Sequence, residues 1–136
     1  DKVIVIQAGE FGKRWVEILQ TYEIEVIELA APYGETVQPG ALAVALIDHK
    51  DAKAVFCQHS ETSTGVLHDM KSYAEITRAT NALLVVDAVS SVGCAELLMD
   101  DWGIAVVVAG GQKGLMLPPG MAILAASDAI LPIGER

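Results

Sequence analysis

Leu83-Leu84-Val85-Val86-Asp87 and Val106-Val107-Val108-Ala109-Gly110-Gly111-Gln112-Lys113-Gly114 decide how this chain folds. Each is a short apolar run, the first closed by a carboxylate and the second by a glycine turn that carries an amine. Runs of this length bounded by turn residues are the pattern of strands buried on both faces in a parallel sheet. Similar runs occupy residues 3–6, 26–29, 54–57, 104–109 and 121–126.

Between the early runs the spacing is helical. Trp15, Ile18, Leu19 and Tyr22 fall at i, i+3, i+4 and i+7, and Leu42, Ala45 and Leu46 repeat the pattern, so two amphipathic helices are expected to lay those faces on the sheet. Pro39 suits the first turn of the second helix. Asp69 suits the N-cap of a third, with Met70, Tyr73, Ala74 and Thr77 on one face. Strand and helix in alternation predict an α/β fold, a mostly parallel sheet flanked by helices with right-handed crossovers. The stiff turn at Leu117-Pro118-Pro119-Gly120 leads into a last strand expected to run antiparallel.

With 136 residues, 52% of them hydrophobic, the chain is the size of one domain with ample material for a core. A formal charge of -9, with nine scattered Lys and Arg, argues against a nucleic-acid partner. No apolar run is long enough for a membrane span and the start lacks the order of a signal peptide, so a cytoplasmic protein is expected. Cys57 and Cys94 sit in no C-x-x-C or Cys/His cluster and read as reduced core thiols. Asp1-Lys2 runs at once into a strand and Ile133-Gly134-Glu135-Arg136 finishes no recognisable element, the pattern of a piece cut from something longer.

Ligands of an open parallel sheet collect beyond the carboxyl ends of its strands. That rule selects residues 7–12, 58–65, 87–93 and 109–114. Asp87 is either a strand-end carboxylate tied to loop amides or a functional acid; no G-x-x-x-x-G-K-[ST] loop supports a nucleotide reading. Lys113, set between glycines, either is solvated or projects into a cleft as a nucleophilic amine able to form an imine. Gln112 either donates to a phosphate or caps its turn. Phe11, an apolar ring at a strand mouth, either stacks on a planar ligand or plugs the helix start. The loop from His59 through Ser60-Glu61-Thr62-Ser63-Thr64 to Gly65 is rich in hydroxyls, but His49, His59 and His68 have no ligand spacing, and no metal site is expected. A carboxylate and an amine at two strand ends, 26 residues apart in the chain, fit a cofactor that needs an acid partner at one end and an imine at the other, as pyridoxal 5'-phosphate does.

Taken in order, residues 7–15, 59–65, 85–91 and 110–120 closely resemble class V aminotransferases of the alanine-glyoxylate and serine-pyruvate type. The likeness implies the large-domain fold of the fold-type I pyridoxal-phosphate enzymes. It also implies transfer of an amino group from a small amino acid such as alanine or serine to a 2-oxo acid such as glyoxylate or pyruvate. By the same resemblance Lys113 carries the Schiff base, Asp87 pairs with the pyridine nitrogen and Phe11 stacks on the ring. Val89 packs the opposite ring face, Thr62 lies near the phenolic oxygen and Gln112 touches the phosphate. Family members are homodimers. The chain departs from the family pattern at Ala105, Ala109 and Gly111, where Asp, Ser and Ser are common. Residues 1–136 correspond to the central part of the cofactor-binding domain, with the upstream phosphate loop and the C-terminal small domain absent, so this stretch alone is expected to be inactive. A lyase or desulfurase of the same superfamily, or a non-catalytic α/β module that kept the fold, are the alternatives.

Overall fold

Six strands form one sheet in the order β2-β1-β3-β6-β7-β8. The computed structural model describes residues 1–130, and the stretch Ile133-Gly134-Glu135-Arg136 lies outside them. The elements are β1 (Lys2–Gln7), α1 (Glu10–Thr21), β2 (Glu25–Ala30), α2 (Pro39–Asp48), β3 (Ala54–Gln58), β4 (Ser60–Glu61), β5 (Val66–Leu67), α3 (Met70–Arg78), β6 (Leu83–Asp87), α4 (Met99–Trp102), β7 (Val106–Gly110) and β8 (Ala122–Ala126). Neighbours from β2 to β7 pair in parallel, and β8 returns antiparallel to β7 after the proline turn. The mostly parallel α/β sheet expected from the apolar runs is therefore present. The short antiparallel ladder of β4 and β5 and the single turn of α4 were not foreseen, because elements so short carry no periodicity.

The two faces of the sheet are unequal. Ile4, Ile6, Val55, Cys57, Leu84, Val86 and Val107 point to the side covered by α2 and α3, where Leu42, Leu46, Met70, Tyr73 and Ala74 meet them in the main core. Each fully buried Ile or Leu there stabilises the fold by about 1.5–3 kcal/mol relative to exposure. The other face holds a smaller cluster in which Val3 and Val5 meet Val16 and Leu19 of α1, with Trp15 and Phe56 at its margin. Among the described residues α1 alone supplies helical side chains to that cluster, so Val85, Val106 and Val108 stay partly exposed. Burial on both faces, as the sequence predicts, thus does not hold for β6 and β7, and β2 and β8 are edge strands with exposed positions.

Helix α1 also turns a different side to the sheet from the one its apolar spacing indicates. Gly12, Val16 and Leu19 are the buried residues, whereas Ile18 is 37% and Tyr22 76% exposed. The cause is steric. Gly12 lies so close to β1 that a Cβ on it would stand 2.8 Å from Gln7 Cα, and this close approach rolls the helix onto its glycine edge. Helices α2 and α3 follow their predicted faces, with Pro39 in the first turn of α2. Cys57 is buried, and burial pushes its thiol well above the ordinary range. Cys94 is exposed, contrary to its reading as a core thiol, because it lies in the loop after β6 instead of on a strand.

Asp69 caps α3 as its position predicts: its carboxylate accepts from Ser72 N at 3.1 Å and Ser72 Oγ at 2.6 Å. These bonds, the hydroxyl's first, hold the carboxyl below its usual range. The stabilisation is therefore complete above pH about 4 and is lost as pH falls through the lower folded-state value. Asp69→Ala should cost about 1 kcal/mol in urea unfolding at pH 7 and progressively less in more acid solution. An equal cost at pH 7 and in strong acid would remove the charged cap from the account.

Candidate active site

Parallel pairing brings the strand ends to one level. Gln58 pairs with Asp87 across β3 and β6, and Asp87 pairs with Val108 across β6 and β7. Alternation then puts Phe56, Gln58, Val85 and Asp87 on the side of the sheet that α1 covers. Asp87 Oδ1 accepts from Val89 N at 3.0 Å, and Oδ2 accepts from the Trp15 indole Nε1 at 3.3 Å. Trp15 rests on Phe56, with ring centroids 5.1 Å apart. Two donors from different segments thus fix the plane of the carboxylate, and each oxygen keeps a further lone pair for another donor.

Lys113 stands in the turn after β7. Gly111 N donates to Met121 O at 3.1 Å, Leu117 N to Gly111 O at 2.9 Å and Met116 N to Lys113 O at 2.9 Å, which closes the turn on itself. Gly114 lets it lie against the loop that follows Asp87, since a Cβ there would meet Val92 O at 2.3 Å. The amine and the carboxylate therefore reach one cleft from adjacent strand ends.

That cleft is a cavity of about 110 Å³ lined by Phe11, Thr62, Asp87, Val89 and Lys113, with Gln58, Ser60 and Ser90 completing the wall. Gln112 does not line it. Its side chain folds back over Gly110, where a Cβ would stand 2.7 Å from Gln112 Oε1. Thr62 Oγ1 and Ser90 Oγ lie 2.5 Å apart and join the loop after β3 to the loop after β6. Gln58 Nε2 donates to Phe11 O at 3.4 Å, and its Oε1 is buried without a hydrogen-bond partner. A larger cavity, about 530 Å³, sits at the opposite ends of the strands between α2 and α3, where aliphatic residues such as Leu46, Ile47 and Ile76 form much of the wall. It brings no carboxylate and amine together.

The histidines serve the scaffold beneath the site. His59 N donates to Asp87 O at 2.8 Å, its Nδ1 lies 3.0 Å from Ser91 Oγ, and His68 Nδ1 donates to Gln58 O at 2.8 Å. Burial pushes both imidazoles below their ordinary range, with the neighbouring His68 adding to the effect on His59. Among the described residues no group of three or more His, Cys, Asp or Glu is placed to hold a metal ion.

Gln58 and Ser90 fall within the loops selected from the sequence and Trp15 on the predicted helix face, but none of the three was given a role at the site. Gln58 had a signal, because it closes β3 as Asp87 closes β6. Trp15 had none, since it reads as a core position and its partner is 72 positions away. A double-mutant cycle with Trp15→Phe and Asp87→Ala, followed by urea unfolding, should show coupling of about 1 kcal/mol from the indole bond. Strict additivity would mean that Trp15 only packs on Phe56.

The likeness to known proteins is broad. The chain is 41% identical over 93% of its length to the small subunit of a soluble hydrogenase from a Synechococcus species. It is 38% identical over 99% of its length to the L-aspartate–glyoxylate aminotransferase of Paracoccus denitrificans. The crystal structure of ureidoglycine-glyoxylate aminotransferase from Bacillus subtilis superposes with a TM-score of 0.93 at 33% identity, covering 98% of this chain and 34% of that one. The chain spans about a third of the length of the curated relatives it matches, 34% of the first and 35% of the second. The family model of class-V aminotransferases matches residues 1–133, and the chain belongs to that family.

Proposed function

We propose that this chain forms the ring-binding part of a pyridoxal-phosphate-dependent transaminase that moves an amino group from a small amino acid to a 2-oxo acid of the glyoxylate or pyruvate type. The observation that carries the reading is the convergence of Asp87, Lys113 and the half-exposed ring of Phe11 on one cavity at the carboxyl ends of the strands. One relative's name speaks of hydrogen chemistry and the other relatives named above of amino transfer. A carboxylate facing an amine across a cleft favours the second.

The residues present fit the cofactor's ring. About 110 Å³ approaches the space that accepts a single six-membered ring, and Asp87 on its wall keeps lone pairs beyond those taken by Trp15 and Val89. When bound, pyridoxal phosphate supplies an electron sink conjugated to the substrate's α-carbon. Asp87 would accept the proton-bearing pyridine nitrogen on a lone pair left free by Trp15 and Val89, keeping that nitrogen protonated. Phe11 would stack on one ring face and Val89 pack the other. The Thr62 hydroxyl, tied to Ser90, would face the phenolic oxygen, and Gln112 would serve the phosphate side. Lys113 Nζ would hold the cofactor covalently, give way to the amino substrate, and then take a proton from the α-carbon and return it, acting as base and acid in turn. We also propose a homodimer, a reading supported by the exposed apolar side chains of Met116, Leu117, Met121 and Leu124 around the lysine turn.

Two substitutions in the full-length protein test the assignment. Lys113→Ala should abolish borohydride-fixed attachment of the cofactor and lower turnover about a thousandfold or more; near-normal turnover would remove Lys113 from the chemistry. Asp87→Asn should leave some cofactor bound yet slow α-proton removal about a hundredfold or more, because a neutral amide holds a pyridinium poorly. Deuterium washout from the α-carbon reads that step directly, and an unchanged rate would dismiss the carboxylate.

A further inference from the structure

We propose that Glu61 is a positioning residue for the cofactor ring. Its carboxylate clasps the start of α1 to the loop after β3, so that Phe11 and Thr62, carried by those two segments, hold a fixed relation across the cavity. The inference rests on the pyridoxal-phosphate reading above and assigns a role to a residue that touches neither ring nor substrate.

Glu61 is 0% exposed, although it sits in a loop rich in hydroxyls. Its Oε2 accepts from Gly12 N at 2.9 Å, and its Oε1 accepts from Phe11 N at 3.3 Å, from Ser63 N at 3.2 Å and from Ser63 Oγ at 2.7 Å. Ser63 Oγ in turn accepts from Glu10 N at 2.9 Å. The amides of Glu10, Phe11 and Gly12 are among those that a helix start leaves unpaired, and here the pair Glu61 and Ser63 takes all three. The cap at Gly9 has no side chain to do so. Every partner of the carboxylate is neutral, so the charge is balanced by these donors and by the partial positive charge of a 12-residue helix. Burial acts to raise the carboxyl's pKa, but the Ser63 hydroxyl and the amides of Gly12, Ser63 and Phe11 outweigh it and hold the group below its usual range.

Two glycines make room for the clasp. A Cβ on Gly9 would stand 2.4 Å from Ser63 Oγ and 2.6 Å from Glu61 Cγ, and Gly12 is pressed against Gln7 as described above. The strand pair β4–β5 sets the direction. Successive side chains point to opposite sides, so Ser60 and Thr62 face the cavity while Glu61 faces the helix. With Ser63 Oγ and Glu61 Cγ so close, position 9 has no room for a capping side chain of its own. A buried carboxylate reaching 49 positions back along the chain does something a local cap cannot, because it locks Phe11, the second residue of α1, to the immediate neighbour of Thr62.

The test uses Glu61→Gln, which keeps the shape but turns an amide group toward backbone donors, in the full-length protein with pyridoxal 5'-phosphate as the probe. Amide hydrogen exchange at Phe11 and Gly12 in the cofactor-free protein should quicken about tenfold or more. Cofactor affinity by equilibrium dialysis should fall about tenfold, and the induced circular dichroism of the bound ring should change in intensity. Asp69→Ala, which weakens α3 alone, should leave the induced dichroism unmoved; if it moves the signal equally, the effect is general loosening and the proposal fails. Unchanged affinity and dichroism in Glu61→Gln, with cofactor bound by the wild type, would overturn the clasp and spare the cofactor reading. A wild type that binds no pyridoxal phosphate would overturn the cofactor reading itself. Should Glu61→Gln not fold, Ser63→Ala removes two of the bonds and keeps the carboxylate; it should shift exchange and dichroism in the same direction to a lesser degree, and no shift would count against the proposal.

Discussion

The parallel register of β3, β6 and β7 is the constraint on which the site rests. It sets Gln58, Asp87 and Val108 side by side, and the segments that carry Thr62, Val89 and Lys113 to the cavity follow the ends of those three strands. A slip of one residue would turn Asp87 toward the face where α2 and α3 lie and bury an unpaired carboxylate. What resists the slip is the alternation of Val55 and Cys57, Leu84 and Val86, and Val107 and Ala109, all buried on the other face. At about 1.5–3 kcal/mol for each larger aliphatic side chain, exposing that set would cost more than any change in the ladder could return. The core on one face thus fixes where the chemistry stands on the other.

That division explains why the two faces look so different. One carries the main core and owes little to function. The other is covered by α1 over β1 and β3, and it leaves β6 and β7 partly open beside the cavity. Helix α1 does two tasks there. Its buried edge seals the strands, and its start and first turns deliver Phe11 to the cavity and Trp15 to Asp87. Because one helix does both, Gly12 matters for more than packing: a side chain there would lift α1 from β1 and move both aromatic groups away from the strand ends.

The six strands of the main sheet, the helices α1 to α3 and the positions of Asp87 and Lys113 at or just after strand ends were legible in the sequence because they follow from apolar runs and from where such runs end. The Asp69 cap of α3 and the first-turn Pro39 of α2 were legible too, since each acts on its own helix. The buried side of α1 was not, because the apolar spacing of Trp15, Ile18, Leu19 and Tyr22 competes with a steric demand at Gly12 that shows only once β1 lies beside it. Gln112 shows the same limit from the other direction: its place beside Lys113 is evident, yet its side chain folds over Gly110 instead of entering the cavity. Glu61 was hidden for a different reason. A carboxylate among hydroxyls reads as solvated, and only its distance from Gly12 and Phe11 reveals the buried cap.

The filled helix start also constrains how a phosphorylated cofactor can sit. A glycine-rich turn from a strand into a helix is a ready anion site, and Gly9-Glu10-Phe11-Gly12 at the start of α1 has that form. Here the anion is the protein's own. The amides of Glu10, Phe11 and Gly12 are committed to Ser63 and Glu61, and a phosphate brought to the same place would meet a buried carboxylate. On the proposed reading the cavity would bind a ring by its acid, its amine and its aromatic wall, and the phosphate would find its donors away from α1. The strand-to-helix turn that looks most like an anion cradle is instead tied by Glu61 and Ser63 to the segment that carries Thr62.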